Sequence, residues 1–269
     1  MFFCKKSIGL DKRDRWNETH QRRSIKEINK MNTTKVRTRG SDRKTAAIVG
    51  VLFILGTVPA LLSLPLMQNT VSAPDHLIAI STNAGQMILF TAIKFFMGIA
   101  CAGIGLALYP VLKKFNEGLA IGAAGFRVIE GMTSVVGALL YIFLLALSQE
   151  FVKAGAPAAS YFQTADAVIN AGIGWFRDVA MLLTFGIGAL LYYIVFYQYR
   201  LVPRWLTVWG LVGITSTMIS TVLVMFHVIA PFSTILIILQ MPILPQELVL
   251  AVWLILKGFN PSAGASRTA

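Results

Sequence analysis

The sequence predicts an all-α fold, a polytopic membrane bundle of six transmembrane helices with both termini in the cytoplasm. Three observations predict it. Six apolar runs, roughly 46–66, 87–112, 119–148, 167–197, 206–230 and 234–256, each reach or exceed the ~20 residues a helix needs to cross the hydrocarbon core. The chain is 56% hydrophobic and only 13% charged, about half the charge a soluble domain of 269 residues carries. The loops alternate between basic and nearly charge-free, and that alternation sets orientation through the positive-inside rule.

The chain opens on a basic tail, residues 1–45, which hold 14 of the 24 Lys and Arg and 5 of the 12 Asp and Glu. This tail lacks a sustained apolar stripe and reads as a disordered cytoplasmic segment. The net charge of +12 raises the question of nucleic acid. A basic segment placed just before a span reads instead as a topology signal with affinity for anionic lipid, so the expected partner is the bilayer and nucleic acid is not expected. Met31 offers an internal start, so residues 1–30 are expected to be dispensable or not translated. No short apolar stretch with a small-residue cleavage site marks a secretory signal.

The remaining loops extend the pattern. Lys113 and Lys114 in the second loop, Arg200 and Arg204 in the fourth, and Lys257 and Arg267 after the last span are basic. The first loop, 67–85, and the fifth have neither Lys nor Arg, and the third has Lys153 near Glu150. Tyr109, Tyr197, Tyr199, Trp205 and Trp253 fall at the expected inner boundary, Tyr161 and Phe162 at the outer one. Pro59 and Pro65 are expected to kink or end span 1 toward the outer face. A short interfacial helix is expected near Asp75–Ser81, a loop over Glu150–Asp166, and a broken span 6 at Pro242 and Pro245. The membrane domain is thus 46–257, followed by a short cytoplasmic tail, 258–269.

Two segments are self-similar. Gly103-Ile-Gly-Leu-Ala-Leu-Tyr109 of span 2 resembles Gly186-Ile-Gly-Ala-Leu-Leu-Tyr192 of span 4, and Leu106–Asn116 resembles Leu250–Asn260. The chain then reads as three parallel copies of one helical hairpin, with chance likeness among apolar spans as the alternative. Aligned on the glycines, Lys94 falls on Arg177.

Six ionisable residues lie well inside spans: Lys94, Arg127, Glu130, Arg177, Asp178 and Glu247. A charge at a helix centre costs about 2.5–3.5 kcal/mol on insertion scales, so each should face protein or water and is a candidate for ligand binding. At 1.5 Å per residue, Arg127 is ~12 Å and Glu247 ~14 Å from the inner ends of their spans, while Lys94 and Asp178 are ~27 and ~29 Å away. Matched depth predicts an Arg127–Glu247 pair, with Glu130 sharing the arginine from one helical turn on, and a Lys94–Asp178 pair that leaves Arg177 for the interface or an anion. Small and polar residues continue each face: Ser134, Gly137, Tyr141 and Ser148 in span 3, Thr91, Gly98, Cys101 and Gly105 in span 2. Asn170, Gly174, Thr184 and Gly188 do so in span 4, and Gly213, Thr217, Ser220 and His227 in span 5. Such a seam suits close helix packing in lipid.

Other chemistry is not readable. Three histidines, His20, His76 and His227, and two cysteines, Cys4 and Cys101, form no zinc-ligand pattern or disulfide framework. No phosphate-binding loop and no nucleophile elbow occur. No metal, cofactor or catalytic residue is therefore assigned. The candidate functions are a small transporter or ligand-binding protein, a structural, accessory or sensory membrane protein, and, last, an intramembrane enzyme.

Several stretches resemble one family: Lys44-Thr-Ala-Ala-Ile-Val-Gly-Val-Leu-Phe53, Tyr109-Pro-Val-Leu-Lys-Lys-Phe-Asn-Glu-Gly-Leu-Ala120, Gly125-Phe-Arg-Val-Ile-Glu130, Leu147-Ser-Gln-Glu150, Arg200-Leu-Val-Pro-Arg-Trp205 and Gln246-Glu-Leu-Val-Leu-Ala-Val-Trp253. They resemble the bacterial multi-pass membrane proteins grouped as domain of unknown function four-three-eight-six, over about 44–260. The resemblance implies an integral protein of the bacterial cell membrane. It implies no activity, ligand or catalytic residue.

Overall fold

A computed structural model describes residue 20 and residues 42–59, 61–63, 75–157 and 160–260. The chain divides into two units, Met1–Arg43 and Lys44–Ala269. Most of the first lies outside the described residues, so the expectations for the basic tail, Met31 and Cys4 fall there, as do those for Pro65 and for Arg267 in the C-terminal tail.

The second unit is helical. Among the described residues six helices are long and apolar enough to cross a membrane. Span 1 is α1 (Asp42–Ser63). The interfacial helix α2 (His76–Thr82) follows, where one was expected. Span 2 is α3 (Ala84–Leu112) and span 3 is α4 (Glu117–Lys153). Span 4 is made of α5 (Ser160–Trp175), a π-helical turn (Phe176–Ala180) and α6 (Met181–Tyr199). Span 5 is α7 (Arg204–Met225). Span 6 is split into α8 (Thr234–Gln240) and α9 (Ile243–Leu256).

Local chemistry explains the ends. Asn116 caps α4 through its side chain, which accepts from Leu119 N at 3.0 Å. Arg200 ends α6 in a left-handed conformation, φ 56°. The expected loop 150–166 is mostly helix: α4 runs to Lys153 and α5 starts at Ser160. Gly155, at φ 83°, supplies the tight turn between them. With 37 residues α4 is about 55 Å long, so it tilts or projects beyond the hydrocarbon core. Span 5 stops at Met225, short of the expected 230, because the chain reverses at His227, φ 57°.

Span 6 breaks at Met241–Pro242, as the prolines predict. Pro245 is accommodated in the first turn of α9, where its missing N–H costs nothing. A side chain satisfies a backbone carbonyl the break releases, as a bilayer demands: Ser216 Oγ donates to Leu239 O at 2.7 Å. Gln240 Nε2 donates to the Ser220 hydroxyl at 3.4 Å and ties α8 to α7.

α4 is the central element, packed against α2, α3, α5 and α6, while α7 packs on α6, α8 and α9. The α3–α4 contact is close. A Cβ placed on Gly131 would lie 2.5 Å from Gly98 O, so the backbones touch where no other side chain fits. Apolar side chains cover the outside, among them Leu62, Phe96 and Val168, each about two-thirds exposed. That surface is suited to lipid and not to water. Tyr161 and Trp205 are exposed at opposite ends, as expected of interfacial aromatics, whereas Phe162 is buried against Phe151. At the end of the bundle where α4 runs into α5, α2 is fastened by Ser148 Oγ donating to Leu77 O, and by His76 Nε2, 2.9 Å from Asp166 Oδ2.

Candidate functional site

The six intramembrane charges separate into two clusters joined by one face of α4. On that face Arg127, Glu130, Ser134, Gly137 and Tyr141 follow at steps of three and four.

The inner cluster centres on Arg127, which is 2% exposed. Its stem fits between two glycines. A Cβ on Gly105 of α3 would lie 2.6 Å from Arg127 Cβ, and one on Gly188 of α6 would lie 3.3 Å from its Cγ. The guanidinium sits among aromatic rings, 5.8 Å from the centroid of Phe53 and 5.3 Å from that of Phe185. Arg127 Nη1 is 3.0 Å from Glu130 Oε2. The pair is electrostatic and poorly aligned: among the described residues, Arg127 Nε and Nη1, Glu130 Oε2 and Tyr192 Oη are buried without a hydrogen-bond partner. Each such atom costs about 1–3 kcal/mol, more when charged.

The predicted Arg127–Glu247 bridge is not formed. Among the described residues no ion pair within 4.0 Å joins them. The break before α9 invalidates a depth counted along one straight helix, and Glu247 turns to span 1, where Thr57 Oγ1 donates to its Oε2 at 3.2 Å. Glu247 nonetheless interacts electrostatically with Arg127, and both interact with Cys101. Glu130 does share the arginine, as expected. A neighbouring network escaped the sequence reading: Gln246 accepts from Tyr193 Oη at 2.6 Å and donates to Leu206 O at 3.0 Å. The signal was there in an amide and two tyrosines inside apolar runs, but only the fold brings α6, α7 and α9 together.

The outer cluster is built by the π turn. Its wider coil places the sequence neighbours Arg177 and Asp178 in register for a bidentate pair, Nε to Oδ1 and Nη2 to Oδ2, both 2.7 Å. The predicted Lys94–Asp178 pair is thereby displaced. Among the described residues Lys94 has no carboxylate within 4.0 Å, and its Nζ lies 5.6 Å from the Phe90 centroid. Lys94 and Arg177 line one cavity of about 40 Å3, with Thr133, Ser134 and Tyr141 of α4. Asp178 lines a second cavity, of about 210 Å3, with Trp175, Met225 and His227. The Arg177–Asp178 pair thus lies between two cavities. Arg177 also stacks under Phe232, 4.5 Å away, in the α7–α8 loop.

The chain belongs to the family described as a domain of unknown function (DUF4386), which matches residues 48–258. The match covers every span, both clusters and the broken span 6. No curated protein and no solved structure matches the chain.

Proposed function

We propose that this DUF4386 protein binds a small polar molecule or ion inside its helix bundle and carries it across the bacterial cell membrane, with both termini in the cytoplasm and the basic tail on anionic lipid. The observation that carries the reading is the set of buried polar atoms on Arg127, Glu130 and Tyr192 that lack an aligned hydrogen bond among the described residues, two of them held only by the Arg127–Glu130 ion pair. Unmet polar groups are costly in a membrane interior and mark ion and substrate pathways there. A bundle whose charges only neutralise one another would align its pairs, as Arg177 and Asp178 are aligned within one turn. The polar face of α4 continues from these atoms to the outer cavity, which gives a bound species a route.

The competing reading, a structural or accessory protein, draws on the Arg127–Glu130 ion pair and the glycine cradle around it. One experiment separates them. Purified protein in nanodiscs is titrated with sodium, potassium, protons and small amino acids while its thermal midpoint is followed. The proposal expects at least one to stabilise the protein by linkage, and Glu130→Gln or Glu247→Gln to remove the response. If no probe gives a response that depends on these carboxylates, the charges only fasten helices.

A further inference from the structure

We infer that the outer cavity between α3, α4 and the π turn is a binding site for a small anion, either a free inorganic anion or the phosphate of a lipid headgroup. The inference rests on the ligand-binding reading above and names a ligand class for the part of the seam that reading leaves undefined.

Charge is the first argument. Lys94 and Arg177 both line the cavity, and their charges act on each other across it. Among the described residues Asp178 is the one carboxylate within ion-pair reach of these cations, and both of its oxygens are taken by Arg177. The cluster of three therefore carries one formal positive charge, held by Lys94. A lysine inside a span with no acidic partner is an expensive arrangement, and a bound anion offsets it.

Geometry is the second. Lys94 and Met97 come from α3, Thr133, Ser134 and Tyr141 from α4, and Arg177 from the π turn, so three elements converge on the space. Thr133 Oγ1 is committed to Glu130 O at 2.8 Å and Tyr141 Oη accepts from Arg177, which leaves the Ser134 hydroxyl and the O–H of Tyr141 to complete an anion's coordination. Arg177 is held rigidly by Asp178 on one side and Phe232 on another. A pre-oriented guanidinium of this kind is what anion recognition uses. A cavity of about 40 Å3 has room for a halide or one phosphate group. The π turn supports the site independently of charge. Single π turns inside α-helices recur at functional positions, and here the turn creates the side-by-side Arg177 and Asp178 that leave Lys94 alone.

The full chain is tested in nanodiscs of two compositions, zwitterionic lipid alone and zwitterionic lipid with phosphatidylglycerol. Chloride is titrated against gluconate at constant ionic strength, and the thermal midpoint is read. A saturable chloride stabilisation in zwitterionic lipid, whose midpoint moves by roughly tenfold or more in Lys94→Met but is kept in Lys94→Arg, establishes a free-anion site. Stabilisation by phosphatidylglycerol without chloride, lost in Lys94→Met, establishes the headgroup as the source. The same response in wild type and Lys94→Met in both lipids, or no response in either, overturns the inference. Should Lys94→Met not fold, wild-type crystals grown with bromide decide it. An anomalous peak in contact with Lys94 Nζ supports the site, and density elsewhere only contradicts it. Glu247→Gln separates this inference from the reading beneath it. A variant that keeps the chloride response after losing the inner cluster's response leaves both standing. A chloride response in a protein that shows no Glu247-dependent binding retains the anion site alone.

Discussion

The two charge clusters draw on the same residue types, and the fold treats them in opposite ways. The inner cluster has one cation and two carboxylates, Arg127, Glu130 and Glu247, and Arg127 is 2% exposed. Glycines and aromatic rings enclose it. The outer cluster has two cations and one carboxylate, and the Arg177 side chain is 34% exposed and borders open space. Pairing is inverted as well. The part-buried Arg177–Asp178 pair is bidentate and aligned, while the enclosed Arg127–Glu130 pair leaves three of its polar atoms without hydrogen bonds. Enclosure decides what each charge costs. In the outer cluster Lys94 borders a cavity, so an occupant of that space can offset its lone charge. In the closed cluster each unmatched atom is felt in full.

The largest expected effect follows from that difference. Arg127→Leu leaves the buried Glu130 carboxylate uncompensated and should destabilise the protein by about 3–5 kcal/mol, whereas Lys94→Leu, which breaks no ion pair, should cost less than about 1 kcal/mol. Unfolding in detergent mixtures measures both. Equal losses would erase the distinction between the clusters.

A charge exchange sharpens the inner pairing. Arg127→Glu combined with Glu130→Arg keeps the ion pair and should recover more stability than Arg127→Glu combined with Glu247→Arg, because Glu130 is the residue in contact. The reverse order would restore the depth-based pairing that the break in span 6 removes.

Packing gives a smaller effect. Gly131→Ala pushes a methyl group against Gly98 O and should cost about 1–3 kcal/mol, since neither backbone can retreat. Gly125→Ala, with open space at its Cβ position, should be neutral or slightly stabilising. At the outer end, Ser148→Ala removes the hydroxyl that holds α2 through Leu77 O and should cost about 0.5–1.5 kcal/mol, seen as faster hydrogen exchange in α2.

These contrasts also show what was legible in the sequence. Six spans, the interfacial helix and the break at Pro242 could be read, because each depends on local composition or on a proline. The polar faces were legible too: Arg127, Glu130, Ser148, Thr217 and Ser220 are all buried as the period implies. The pairings were not. Depth along a span assumes an unbroken α-helix, and both failed pairs involve a departure from one, the π turn at Phe176–Ala180 and the break before Ile243. Thr57 as the partner of Glu247, and Phe53 and Phe185 around Arg127, were hidden for a second reason. They come from spans distant in sequence, and nothing in a single chain's periodicity reports which helices are neighbours.

The central claim is that one polar seam has an open outer end and a closed inner one. Its most direct measurement is thiol accessibility, with native Cys101 reporting on the inner cluster and Ser134→Cys on the outer cavity, in a Cys4→Ser background. A membrane-impermeant, water-soluble thiol reagent is applied to protein in nanodiscs. The account predicts rapid modification of Ser134→Cys, slowed by chloride, and protection of Cys101 on the same timescale. Rapid modification of Cys101, or protection of Ser134→Cys with Cys101 exposed, would contradict it.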